Sequence, residues 1–193
     1  MSDLDPRIPP LPAEGFRPEW LATLARIPGA GLKGAGFPKN VLGTIAHNPE
    51  SFGPFLDFWV ANKLATELSV REQELVILRM ACLYRSPYVW KHHVPVALEF
   101  GIGESELDAV REGRYEGAFG ERESTLLLLT DELTEARTIR QPVWERVAGR
   151  LSHRALIDLI SLVAQYCFFA LVNNAAQVEI EEGVRRVPWP GSD

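Results

Sequence analysis

The chain holds few cysteines: two among 193 residues, Cys82 and Cys167, far apart and with no C-x-x-C anywhere. That excludes a disulfide framework and a dithiol redox motif, and leaves two reduced, buried thiols as the expectation. No run of basic residues occurs; Lys+Arg 20 against Asp+Glu 26 gives a net charge of −6. With pI near 5.3, a nucleic-acid partner is not expected, because phosphate binding needs clustered Lys and Arg. Uninterrupted apolar stretches are also missing. The longest, ALIDLISLVAQYCFFALV at 155–172, is broken by Asp158, Ser161 and Gln165, so it reads as a buried helix and no membrane partner is expected. The opening MSDLDPRIPPLP lacks the basic start and apolar core of a secretory signal. A cytoplasmic location and an extended, proline-bearing arm are expected. Strand-like alternation is scarce throughout.

What is present is helical spacing. Apolar residues make up 46% of the chain, enough for a sizeable single core. RPEWLATLARI (17–27) reads as a short helix with Pro18 in its first turn. The Gly-rich PGAGLKGAGFP (28–38) has no preceding strand and no GK[ST], so it reads as a connector and not a phosphate loop. Further helices are expected at 40–47, 50–67, 70–84, 86–101, 104–113, 122–137, 142–151 and 153–178. Ser69 and Glu72 form a capping box at the start of the 70–84 helix. The tail RRVPWPGSD is expected to be irregular. The fold class expected is all-α, a single-domain helical bundle.

Two ionisable residues fall on apolar stripes. On the 70–84 helix Glu74 lies among Val70, Ile77, Leu78, Ala81 and Cys82, with Glu72 and Arg79 on the side expected to face water. A carboxylate there needs a partner: either an ion pair with Arg71, or a role in proton transfer. On the next helix His93 shares a face with Ser86, Val89, Val96, Ala97 and Phe100, while Tyr88, His92 and Glu99 lie on an adjoining one. Adjacent histidines stand about 100° apart on a helix and cannot easily grip one metal, so no metal and no cofactor is expected. A short turn between the two helices can bring Glu74 and His93 together as an acid/base pair.

The run REQELVILRMACLYRSPYVWKHHVPVALEFGI (71–102) resembles the core motif of the carboxymuconolactone decarboxylase family, which includes AhpD-type alkylhydroperoxidases. NVLGTIAHNPE upstream is similar to that family's entry helix, and QYCFFALVNNAAQVEIE (165–181) to its C-terminal helix. The resemblance implies an AhpD-like bundle over 38–181, preceded by 1–37 (arm, short helix and linker) and followed by an irregular 182–193. In peroxidase members the motif is Glu, then C-x-x-C, then His. Glu74 and His93 match its ends, but the cysteine positions fall at Ser86 and Val89, so dithiol peroxidase chemistry is not available. Decarboxylase-type members commonly carry Glu where this chain has Val89. Tyr166 matches a frequent Tyr and Asn174 a frequent Asn, either as internal hydrogen-bonding groups or as pocket wall.

The expectation is therefore a cofactor-independent, decarboxylase-like lyase acting on a small organic acid or lactone. His93 would be its acid/base and Glu74 its orienter, with Tyr88, His92, Ser86, Tyr84 and Tyr166 lining the substrate site and Val89, Trp90, Val96 and Phe100 as apolar walls. The alternatives are a non-catalytic ligand-binding or interaction module of the same fold, and a residual peroxidase using Cys82. The resemblance further implies a homo-oligomer: a dimer, trimer or hexamer.

Overall fold

A computed structural model describes residues 5–27, 37–184 and 187–189. Most of the expected Gly-rich connector, 28–36, lies outside the described residues. Among those described there are nine α-helices and no strand: α1 Pro18–Leu24, α2 Lys39–Ile45, α3 Pro49–Leu64, α4 Val70–Leu83, α5 Pro87–Glu99, α6 Glu104–Glu112, α7 Glu121–Glu135, α8 Gln141–Val147 and α9 His153–Ala176. Local chemistry sets their ends. Proline occupies the first or second position of α1, α3, α5 and α8, where its missing N–H costs nothing. The Ser69 capping box is formed: Glu72 Oε2 accepts from the Ser69 backbone N–H at 2.7 Å, and Ser69 Oγ from the Glu72 N–H at 3.2 Å. Ser152 Oγ caps α9 by accepting from the Ala155 N–H at 2.9 Å.

α4 is the centre. It packs against α5, α6, α7 and α9, and its Leu75, Val76, Ile77, Leu78, Met80 and Ala81 are all at most 1% exposed. Burial of each of the larger ones contributes about 1.5–3 kcal/mol. The turn from α4 to α5 is tight. Ser86 N–H donates to the Ala81 carbonyl at 2.9 Å and Arg85 adopts φ +50°, a left-handed conformation that costs a non-glycine residue about 1 kcal/mol. This hairpin fixes which face of α5 meets α4. By length and composition α9 is apolar enough to cross a membrane, yet here it packs against α2, α3, α4, α5 and α7.

Several expectations are corrected. Glu72 and Arg79 do not face water: α7 covers that side of α4, and they pair with Arg122 (2.6 Å) and Asp131 (2.6 Å). α3 stops at Leu64, not 67, because Asp158 Oδ2 on α9 accepts from the Glu67 N–H at 2.7 Å and from Thr66 Oγ1 at 3.1 Å, pulling the chain off the helix axis. α8 ends at Val147, with Gly149 at φ +78°, and α9 ends at Ala176, with Gln177 at φ +54°. The arm carries one 3₁₀ turn, Ala13–Gly15, and lies on the bundle. Leu11 N–H donates to the Gly43 carbonyl at 3.1 Å, and any side chain at 43 would clash with the Leu11 carbonyl. Phe100, expected on the inner face, is 46% exposed because α5 ends one residue before it.

Candidate functional site

His93 lies two turns into α5, on the side that faces α4 and α9. Its Nδ1 stands 2.7 Å from Glu74 Oε2, and its Nε2 stands 3.2 Å from the hydroxyl of Tyr166 on α9. The Glu74 side chain is 1% exposed and that of His93 18%. The imidazole and phenol rings meet edge to face, 5.2 Å apart at 80°. Three elements of the core thus supply one side chain each to a carboxylate–imidazole–phenol line. The alternative partner for Glu74 is engaged elsewhere: Arg71 binds Glu106, Glu123 (2.7 Å) and the Gly101 carbonyl (2.7 Å).

The proton inventory of the line follows from its geometry. A carboxylate only accepts, so with Glu74 ionised the ring carries its proton on Nδ1 and presents a lone pair at Nε2. Tyr166 then donates its O–H to that nitrogen. Burial first, and the Glu74 charge second, push the Tyr166 hydroxyl well above the usual phenol range, with a hydrogen bond from Trp59 opposing them. It is held as a neutral phenol.

Beyond Tyr166, on the side of α3, lies a narrow, partly open cleft of about 10 Å³, room for about one water, lined by Trp59, Lys63, Gln73, Ile77, Leu162, Gln165 and Tyr166. The apolar walls expected on α5 (Val89, Trp90, Val96 and Phe100) are not those of this cleft. Trp90 instead faces the C-terminal segment, donating to the Pro188 carbonyl at 3.1 Å and packing edge-on against Trp189.

Tyr88 and His92 are carried to a different place. They stack on each other at 4.4 Å, and both bind Glu181: Tyr88 donates to Oε1 at 2.7 Å, and His92 Nε2 lies 2.7 Å from Oε2. The Asn40 backbone N–H donates to the same Oε1 at 2.7 Å. Burial disfavours the Glu181 carboxylate, but the His92 hydrogen bond and charge, Asn40 and Tyr88 together outweigh it and hold its pKa below the ordinary 4.5. This cluster ties the C-terminal segment to α2 and α5 and shares no side chain with the line around His93. It departs from the expected common site because successive helix positions diverge by a wide angle.

Ser86 is fully buried, and its Oγ has no hydrogen-bond partner among the described residues. Tyr84 closes α4; its carbonyl accepts from Asn174 Nδ2 at 2.8 Å, and its hydroxyl is pushed up to about 12, first by a hydrogen bond with Cys167 and then by burial. Both cysteines are free and half-buried. Burial pushes the Cys82 thiol up to about 11, against the opposing charges of Arg79 and Arg111. Among the described residues no three His, Cys, Asp or Glu side chains converge as a metal site would need. Sequence reasoning missed Glu181, Lys63 and the amide of Gln165. Glu181 sits among Glu179 and Glu182 with no local sign of burial, and Lys63 and Gln165 come from helices 100 residues apart in the chain.

Comparison with known proteins agrees with this architecture. Residues 49–132 match the model of the carboxymuconolactone decarboxylase family. A search of curated proteins finds no match to this sequence. Among solved structures, a variant of the debrominase Bmp8 in complex with 2,3,4-tribromopyrrole superposes with a TM-score of 0.75 at 15% identity, covering 94% of this chain and 95% of that one. An uncharacterized peroxidase-related protein with an alkylhydroperoxidase AhpD core from Ralstonia eutropha JMP134 gives 0.74 at 16% identity, covering 94% and 95%. A protein of unknown function from Agrobacterium tumefaciens, described as a possible AhpD antioxidant defence protein, gives 0.63 at 16%, covering 70% and 94%.

Proposed function

This chain belongs to the carboxymuconolactone decarboxylase family, with an AhpD-like fold and without a C-x-x-C dithiol, and from that premise we propose a cofactor-independent lyase that decarboxylates a small organic acid or lactone. The observation that carries the reading is the buried Glu74–His93–Tyr166 line. Loss of CO₂ breaks a carbon–carbon bond and leaves its electron pair on the substrate, which must be conjugated to a carbonyl to hold it. A proton is then delivered to that carbon. Glu74 fixes the ring so that Nε2 is the exchanging nitrogen, and Tyr166, whose hydroxyl binds that nitrogen, also lines the cleft. The neutral phenol can still give its proton to the far more basic carbanion, and Nε2 resupplies it once the ring has taken a proton from solvent. The apolar cleft residues Ile77, Leu162 and Trp59 favour conversion of a charged carboxylate to neutral CO₂.

The test is CO₂ release from a panel of conjugated carboxylic acids and lactones. His93→Gln should lower turnover about 10²–10⁴-fold, and Tyr166→Phe should lower kcat with little change in KM. Turnover by His93→Gln equal to that of the parent protein would sink the proposal. One observation favours the rival binding module: Tyr166, and not His93, lines the cleft. The same panel separates the two, since a module would bind without turnover. A peroxidase based on Cys82 is disfavoured by its raised thiol pKa. An exposed apolar stripe on α9 (Ile157, Ile160, Phe168 and Leu171) supports assembly of the chain into a homo-oligomer.

A further inference from the structure

The cleft beside Tyr166 has a polar side that the proton line does not use. Gln165, on α9, is 3% exposed, and its Nε2 is buried with no hydrogen-bond partner among the described residues. A buried amide donor is costly to leave unmade, so its retention calls for an acceptor. Gln73, the other amide lining the cleft, has its own Nε2 committed to the Leu68 carbonyl at 3.0 Å. The Tyr166 hydroxyl has one proton and two lone pairs. It gives the proton to His93 Nε2 and takes a hydrogen bond from Trp59, which leaves one lone pair. The space that these residues line is about 10 Å³, the size at which a cavity holds one water, provided that several polar groups bind it. Six of the seven lining residues are buried, and Lys63 on α3 alone is half-buried, so the cleft opens to solvent past Lys63.

We infer that this cleft is a one-water proton port, in which the Gln165 amide holds a single water beside Tyr166 and Lys63 links it to bulk solvent. The Gln165 N–H and the Lys63 ammonium both donate, so they take the oxygen of the water and leave its protons for the spare lone pair of the phenol. The same two donors disfavour a metal cation in that place. The inference rests on the proposed proton line only for its consequence. There, the port charges the imidazole from the phenol end. The water gives a proton to the Tyr166 oxygen as that oxygen passes its own to His93 Nε2, so one water O–H bond is exchanged for one N–H bond. The hydroxide left behind takes a proton from the Lys63 ammonium, which bulk water protonates again. Gln165 is then a positioning residue for the line, and Lys63 its entrance.

The experiment is NMR of the full, isotope-labelled chain, reading cross-relaxation between the water resonance and the Gln165 side-chain amide protons in the laboratory and rotating frames. A water held for longer than the molecule takes to tumble gives contacts of opposite sign in the two frames, and passing water gives the same sign. Opposite signs are expected at Gln165. Gln165→Met keeps the bulk and removes the N–H, so the Ile77 and Leu162 methyls should lose their contacts with water, while the melting temperature reports an intact fold. The indole proton of Trp59, which binds the Tyr166 hydroxyl, should exchange with deuterated solvent about tenfold more slowly in that variant. Absent or same-sign contacts at Gln165 in the parent chain overturn the water site without any variant. Methyl contacts unchanged in Gln165→Met overturn Gln165 as the anchor, and equal Trp59 exchange overturns the port. No turnover enters these measurements. Tyr166→Phe dismantles the proton line and should keep the water at Gln165, so the fates of the port and of the line are read separately.

Discussion

Replacing Glu181 by Gln tests whether the second histidine belongs to a structural latch. The Glu181 side chain is 2% exposed and receives three contacts at 2.7 Å: from the Asn40 N–H and the Tyr88 O–H on one oxygen, and with His92 Nε2 on the other. Glutamine keeps one acceptor oxygen and turns the other position into a donor. The Asn40 and Tyr88 contacts keep an acceptor, the His92 contact survives only with the ring proton on Nδ1, and all lose their charge-assisted character. Hydrogen bonds to charged groups contribute about 1.5–3 kcal/mol each, so a net loss of about 2 kcal/mol is expected at pH 7. For a chain of this size that lowers Tm by roughly 4–8 °C. The pH dependence is the sharper readout. The folded pKa of Glu181 lies below the ordinary 4.5, so the unfolded chain binds its proton first on acidification. The stabilisation is complete above about pH 4.5 and is lost as pH falls through the lower, folded value. Urea unfolding of both proteins should give a gap at pH 7 that narrows once the pH falls below about 4.5. Other carboxylates titrate in both proteins and cancel. A gap that is absent at pH 7, or that fails to narrow below about pH 4.5, would show that the carboxylate is not bound as an anion in the fold.

Three further outcomes follow from the geometry. All four tyrosines, Tyr84, Tyr88, Tyr115 and Tyr166, have hydroxyls raised above the ordinary 10. Above pH 10 the folded chain therefore holds more protons than the unfolded one, and stability falls as pH rises; phenolate absorbance near 295 nm should appear together with loss of helical circular dichroism, and a tyrosine ionising at pH 10 in the intact fold would contradict this. With its thiol raised to about 11, Cys82 is roughly 0.1% thiolate at pH 8. Its alkylation by iodoacetamide, followed by peptide mass, should be at least tenfold slower folded than unfolded, and complete labelling within minutes would restore a thiol mechanism. Leu171→Glu charges a position 55% exposed on the α9 stripe, where Ile157 is 60% exposed. Light scattering should report a smaller assembly than the parent with unchanged helicity, and identical masses would remove the stripe as an interface.

The pairing of Glu74 with His93 was legible because two short-range signals agreed. Each residue interrupts an apolar stripe of 3.6-residue period, and a three-residue turn joins the helices that carry them, so few relative placements remain. The capping box at Ser69 and the prolines at helix starts were equally local and equally readable. What sequence spacing could not supply was the far side of each helix. Glu72 and Arg79 looked exposed on a single helix, and only the docking of α7, from 50 residues downstream, buries them. The same holds for Glu181, which gains its partners because the segment after α9 returns to α2 and α5. Grouping Tyr88 and His92 with His93 was reasonable by proximity in sequence, and failed because helical adjacency separates side chains.

That separation explains how one helix serves two purposes without conflict. About 100° of rotation sends His93 to Glu74 and Tyr166, and His92 to Glu181 and Tyr88. The positions where the peroxidase motif that this chain resembles has cysteine lie elsewhere again: Ser86 stands at the N-cap position of α5 without a side-chain capping bond, and Val89 lies one turn on, both buried. None of the three hydrogen-bonding side chains of the proton line comes from either position. The line is a product of packing among α4, α5 and α9, and it persists with no thiol at Ser86 or Val89. In this chain, then, the Glu74–His93–Tyr166 contacts do not depend on a dithiol. Losing the dithiol removes an oxidisable group but leaves a buried imidazole with a fixed carboxylate on one nitrogen and a neutral phenol on the other.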